Sequence, residues 1–154
     1  MSRLVIAVTG QVLWNTGDVR LWIELDLLLK DNAGGWKKHT FRLDSGTDLT
    51  TFPANLAKQL NLPLPSSAAS VRHKQTGLEI RSGLLRFQIA GMDATEYVVA
   101  CLFLGDPDVP TSGKAANVPR KLLQPLALLD RLRFQFDKNA TLGAPHGEMI
   151  IEKK

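Results

Sequence analysis

The 154-residue chain carries a single cysteine, Cys101, so no disulfide can form within it. That fits a reducing compartment and sets aside the small disulfide-stapled scaffolds of secreted proteins. Cys101 lies inside the apolar run Tyr97–Leu104, where an inert buried thiol is expected rather than a nucleophile. No apolar run approaches the roughly 20 residues that cross a bilayer as a helix, so no membrane partner is expected. Met1–Gly10 lacks an apolar segment long enough for a signal peptide, and a cytoplasmic location is the expectation. The three histidines, His39, His73 and His146, are far apart and have no Cys or carboxylate companions at ligand spacing, so no metal is expected. No glycine-rich phosphate cradle follows a strand, and no other cofactor is implied. The net charge of +4 comes from scattered residues that pair only at Lys37-Lys38, Arg120-Lys121 and Lys153-Lys154. Without aromatic residues interleaved among them, a nucleic-acid groove is not expected. Asn139-Ala-Thr141 matches a glycosylation acceptor but has no secretory context.

What remains is a chain of single-domain length, residues 1–154, whose 44% hydrophobic content argues against disorder. Val19–Leu29 begins with polar–apolar alternation, the mark of a half-buried strand. Asp31-Asn-Ala-Gly-Gly35 is a turn, and Trp36–Leu43 returns as its partner strand. Thr47–Phe52 is β-branched and apolar enough to leave as another strand. Pro53–Leu60 then reads as a short helix with proline in its first turn, ended by Asn61-Leu-Pro-Leu-Pro65. Ser70–Thr76 and Leu78–Ile89 flank Gly77 as a possible hairpin, followed by a strand over Thr95–Leu104. Gly105–Pro119 is loop-like, Lys121–Leu132 reads as a helix interrupted or begun at Pro125, and Arg133–Asp137 as a strand. Leu4–Val8 and Gly147–Glu152 are expected as terminal strands. Short strands with frequent turns and one or two short helices predict a mostly β, barrel-like domain.

The hairpin ending at Leu43 delivers Asp44-Ser45-Gly46, followed by Thr47-Asp48. By itself the tripeptide arises by chance in roughly one chain in ten to twenty of this length, and an ordinary turn accounts for it. Its setting carries more weight. The run from Phe41 to Leu62 (strand, Asp-Ser-Gly, a further Asp, a strand ending near proline, a short helix) resembles the active-site segment of the retropepsin-like aspartic proteases, particularly their bacterial members. The resemblance extends more loosely through Leu128–Asp137, so that a core of about residues 19–137 is covered.

The resemblance implies a retropepsin-like acid-protease barrel with a long flap hairpin, and aspartic endopeptidase chemistry. That chemistry needs two carboxylates held close enough to share one proton, so that one acts as base and the other as acid. Bilobal pepsin-like enzymes need about twice this length and two motif copies. With one copy here, the implied partner is a second copy of the chain: a homodimer with one Asp44 from each subunit, the terminal segments serving as possible interface strands. The implied substrate is an extended peptide or protein. Ser45 would lock the paired turns through its hydroxyl, and Gly46 would let the backbone approach the carboxylate closely. Thr47 would donate its hydroxyl to the outer oxygen of Asp44, and Asp48 would pair with Arg131 or Arg133. Thr76, Gly77 and Leu78 form the flap candidate, although the local residues fit an ordinary hairpin equally well.

One departure from the family pattern stands out. Two apolar residues and then glycine usually precede the C-terminal helix, whereas Leu122-Leu123 is followed here by Gln124-Pro125. That difference favours the alternative function, a catalytically inactive dimeric peptide-binding module of the same fold that adds its ligand as a strand.

Overall fold

The computed structural model describes residues 2–109, 120–139 and 142–154. Its centre is built from the alternation visible in Glu24–Lys30 (β4), where Leu25, Leu27 and Leu29 point inward and are essentially inaccessible. The Asp31 carboxylate closes the following turn by accepting the backbone N–H groups of Ala33 (2.9 Å) and Gly35 (2.8 Å), and Gly34 supplies the positive φ that the turn requires. Trp36–Leu43 (β5) returns antiparallel to β4 in the register Leu25 to Phe41. Thr50–Pro53 (β6) is buried throughout and runs parallel to Tyr97–Leu104 (β9), where Tyr97, Val99, Cys101 and Phe103 alternate into the core.

Glu79–Ile89 (β8) is long enough to pair with three neighbours. It lies antiparallel to β9, to Ser70–Arg72 (β7) and, near its end, to β4 through Leu27–Ile89 and Leu29–Phe87. The two-residue strand Leu122–Leu123 (β10) slots between β5 and β6, parallel to the first and antiparallel to the second. The ring β4-β5-β10-β6-β9-β8 closes on itself through the β4–β8 pairing, giving a six-stranded barrel with β7 as an appended edge. Its interior holds Phe41, Phe52, Phe87 and Phe103, with Phe41 and Phe52 stacked at 5.6 Å between ring centroids. The Cys101 thiol sits in this interior, and burial pushes its pKa up to about 12.

Arg3–Ala7 (β1), Leu132–Asp137 (β11) and Glu148–Lys153 (β12) form a separate antiparallel sheet with β12 in the middle. The two ends of the chain therefore pair with each other. Thr9–Val12 (β2) and Val19–Trp22 (β3) make a two-stranded arm. The expected single strand Val19–Leu29 is thus two strands broken at Ile23, whose carbonyl instead accepts the Leu43 N–H at 2.9 Å.

The helix (α1) spans Ala54–Gln59 after Pro53 and ends where Asn61 takes a positive φ of 56°. The helix expected over Lys121–Leu132 does not form. Leu122-Leu123 is captured between β5 and β6, Pro125 has no N–H to give, and only a 3-10 turn, Pro125–Leu128, remains. Of the loop expected over Gly105–Pro119, residues 110–119 lie outside the described residues, as do residues 140–141 of the Asn139–Thr141 acceptor.

A polar clasp ties the terminal sheet to the barrel. Asp93 accepts the Thr95 N–H at 3.1 Å and Lys153 Nζ at 3.1 Å, and Lys153 also reaches the Thr95 hydroxyl. Hydrogen bonding from Thr95 first, then from Lys153, holds the Asp93 pKa at about 2, below its ordinary 3.8. A carboxylate depressed in the folded state stabilises the fold above its unfolded pKa and loses that contribution as pH falls toward the folded value. Urea titrations should therefore show wild type and Asp93→Asn differing at pH 7 and converging between about pH 4 and 2. A difference independent of pH would show that the clasp does not act through the charge.

Candidate active site

Asp44 sits where β5 runs out between two neighbours. Its flanking backbone is bonded on both sides: Leu43 N–H to the Ile23 carbonyl at 2.9 Å, and Asp44 N–H to the Leu123 carbonyl at 3.0 Å. The insertion of β10 between β5 and β6 thus holds the residues on either side of the turn at one end of the barrel. The carboxyl is half-buried, and its Oδ1 accepts the Gly46 N–H at 2.8 Å, closing an Asx-type turn. A Cβ on Gly46 would come within 3.2 Å of the same Oδ1, so glycine lets the amide approach without crowding the carboxylate. Ser45, Gly46 and Asp48 are exposed and Thr47 is half-buried.

Two expected contacts are corrected. The Thr47 hydroxyl has one proton to give, and it donates it to the Leu49 carbonyl at 2.9 Å rather than to Asp44. Arg131 does not reach Asp48. Its guanidinium lies 4.7 Å above the Tyr97 ring and donates to the Glu96 carbonyl at 3.3 Å. Arg133 is exposed on β11, and among the described residues no ion pair joins either arginine to Asp48.

Gln124, noted in the sequence only as a departure from the family pattern, lies directly beneath the turn. It is 8% exposed. Its Nε2 donates to the Ser45 carbonyl at 3.3 Å and to the Thr47 carbonyl, while its Oε1 accepts the Leu126 N–H at 3.0 Å. Its own N–H donates to the Thr50 hydroxyl at 3.1 Å. No local signal could have placed it there, since it is 79 residues from Ser45 along the chain.

The hairpin around Gly77 is present. His73 N–H meets the Leu78 carbonyl and Gly77 N–H meets the His73 carbonyl, both at 2.8 Å, with Gly77 at φ +67°. Arg72 bonds the Gly77 carbonyl at 3.0 Å, and Thr76 Oγ1 accepts the Leu78 N–H at 3.3 Å. Thr76, Gly77 and Leu78 thus form a turn braced by its own strands. His39 rests edge-on against Phe52 at 6.0 Å and faces Lys121, its pKa lowered mainly by desolvation. No group of three or more His, Cys, Asp or Glu residues has metal-binding geometry among the described residues. A cleft of about 390 Å³ between β1 and β4 and one of about 530 Å³ beside Pro63–Pro65 are not lined by Asp44.

A closed six-stranded barrel, with a short strand inserted beside an Asp-Ser-Gly turn, defines an acid-protease-type fold. The comparison with solved structures bears this out: the chain superposes on a retropepsin-like aspartic protease from Rickettsia conorii with a TM-score of 0.53, over 97% of this chain and 89% of that one. The fold is therefore mostly β and retropepsin-like, although the two sequences are only 14% identical. No protein-family model matches the chain, and no curated protein does.

Proposed function

We propose that this chain is an aspartic endopeptidase acting as a homodimer, with one Asp44 from each subunit. The observation that carries the reading is the Asp44 turn, held by the Ile23 carbonyl on one side and by β10 and Gln124 on the other within a retropepsin-like barrel. One chain supplies one such carboxylate, which is half of what the chemistry needs. In the dimer, Asp44 takes a proton from a bound water, and the resulting hydroxide adds to the scissile carbonyl. The partner subunit's Asp44, protonated, hydrogen-bonds the carbonyl oxygen as negative charge develops on it. The proton is then passed to the leaving nitrogen as the C–N bond breaks. An extended peptide fits such a site as an added strand, and the Thr76-Gly77-Leu78 turn is the candidate flap that closes over it.

Dilution tests this reading. Activity per chain on a fluorescence-quenched peptide library should fall as the protein is diluted through the dimer dissociation constant. Constant activity per chain in a sample shown by sedimentation to be monomeric overturns it. A dimer that binds the peptides without cutting them would instead be the non-catalytic module, the reading that the replacement of glycine by Gln124 favours.

A further inference from the structure

We infer that Gln124 is a positioning residue, whose side-chain amide clamps the Asp44–Thr47 turn and so sets the aim of the Asp44 carboxylate. The inference rests on the proposed peptidase reading for its kinetic consequences, but not for its structural ones.

The geometry is that of a two-ended brace. On one side stand two carbonyl oxygens, those of Ser45 and Thr47, and on the other the Leu126 N–H. Only one orientation of a carboxamide satisfies all three: NH2 toward the carbonyls and the oxygen toward the N–H. Because Gln124 is 8% exposed, water is poorly placed to take over these bonds if the side chain is removed. The brace is anchored as well. The Gln124 N–H is held by Thr50, which is 1% exposed, and the Leu123 carbonyl holds the Asp44 N–H at 3.0 Å.

One side chain therefore links the start of the 3-10 turn to the Ser45–Gly46 and Thr47–Asp48 peptide units. The Gly46 N–H is the group that holds Asp44 Oδ1 at 2.8 Å. Fixing the Ser45 carbonyl fixes the plane of the peptide carrying that N–H and, through it, the carboxylate, while the bond to the Thr47 carbonyl holds the far side of the turn. A displacement of about 1 Å at a reacting group costs on the order of a hundredfold in rate. A brace bonded on both sides of Gly46 guards against such a displacement.

Gln124→Ala and Gln124→Glu in the full chain test this, assayed on the fluorescence-quenched peptide library across pH and by amide hydrogen exchange. Gln124→Ala should lower kcat about 10- to 100-fold with KM changed less than about threefold, and the ratio to wild type should be flat with pH. Gln124→Glu keeps the shape but turns an acceptor toward two acceptors. Protonated, it donates one bond to the turn; ionised, it repels both carbonyls. Its activity relative to wild type should rise toward acid pH, a partial rescue that loss of packing alone would not give. In hydrogen exchange, the Gly46 amide should exchange at least about tenfold faster in Gln124→Ala while the β4 and β8 amides keep their rates. Faster Gly46 exchange in a chain whose wild type cleaves nothing upholds the clamp and removes the peptidase reading. Unchanged kcat in Gln124→Ala with unchanged Gly46 exchange overturns the clamp and leaves the peptidase reading standing.

Discussion

Asp44→Asn is expected to abolish peptide hydrolysis while leaving the barrel folded. The amide cannot take a proton from water, and it cannot lend one to the scissile carbonyl, so both halves of the proposed acid–base pair are lost in the homodimer. General acid–base catalysis contributes about 10²- to 10⁴-fold per group, and activity should fall by at least the upper end of that range. The fold should survive because the structural task of Asp44 is modest. Its backbone N–H bonds to Leu123 whatever the side chain, and an asparagine oxygen can still accept the Gly46 N–H that lies 2.8 Å from Oδ1. Exchanging a carboxyl for an amide acceptor at a half-buried turn costs up to about 1 kcal/mol. The measurement is a progress curve on the peptide library beside a urea melt of the same preparation. Near-normal cleavage by Asp44→Asn would remove Asp44 from the chemistry. An unfolded variant would identify it as a turn former instead.

The largest effect on stability is expected from Phe52→Ala. Phe52 is fully buried, stacks on Phe41 at 5.6 Å and takes the edge of His39 at 6.0 Å. It lies on β6, which pairs with β9 on one side and β10 on the other, and its ring is part of the core inside the barrel, so that is where the void opens. Truncating a buried Phe to Ala costs about 3–5 kcal/mol in lost transfer free energy and residual cavity. Total stabilities of about 5–15 kcal/mol leave little margin for such a loss. The urea midpoint should drop by about 1–3 M with the slope unchanged. Because β6 follows the Asp44 turn and its Thr50 anchors Gln124, residual activity should fall with the stability. A loss below about 1 kcal/mol would mean that the barrel collapses onto the site and that the interior is less tightly filled than the aromatic stack indicates.

Much of this architecture could be read along the chain because its causes are local. Leu25, Leu27 and Leu29 recur at every second position, with Glu24, Asp26 and Lys30 on the other face beside Leu28, so one face of β4 is wholly apolar wherever the strand is placed. Asp31 through Gly35 holds the carboxylate and the glycines that its turn needs. Proline at 53 begins a helix and asparagine at 61 ends it. The Asp44-Ser45-Gly46 turn follows from the same kind of chemistry, since a short carboxylate bonds the amide two residues on. The helical reading of Lys121–Leu132 failed because leucines suited to one face of a helix are equally suited to a strand, and the gap between β5 and β6 was filled by two of them.

The composition and order of residues therefore determined a mostly β chain, with one aspartate presented on a tight turn after a hairpin. Only the tertiary structure decided what surrounds that aspartate. Closure of β4 onto β8, insertion of β10 beside β5 and the arrival of Gln124 beneath Ser45 and Thr47 all join residues far apart in sequence. Such contacts carry no local signature, because a buried amide is fixed by the carbonyls it meets and those come from elsewhere in the chain. The family resemblance implied a bond from Thr47 to Asp44, whereas in the folded chain the Thr47 hydroxyl donates to the Leu49 carbonyl. Glycine and glutamine at position 124 look like a simple gain or loss of room when read as letters. In the folded barrel the glutamine is a three-way bond between the turn and the 3-10 segment, because its buried amide meets two carbonyls on one side and an N–H on the other.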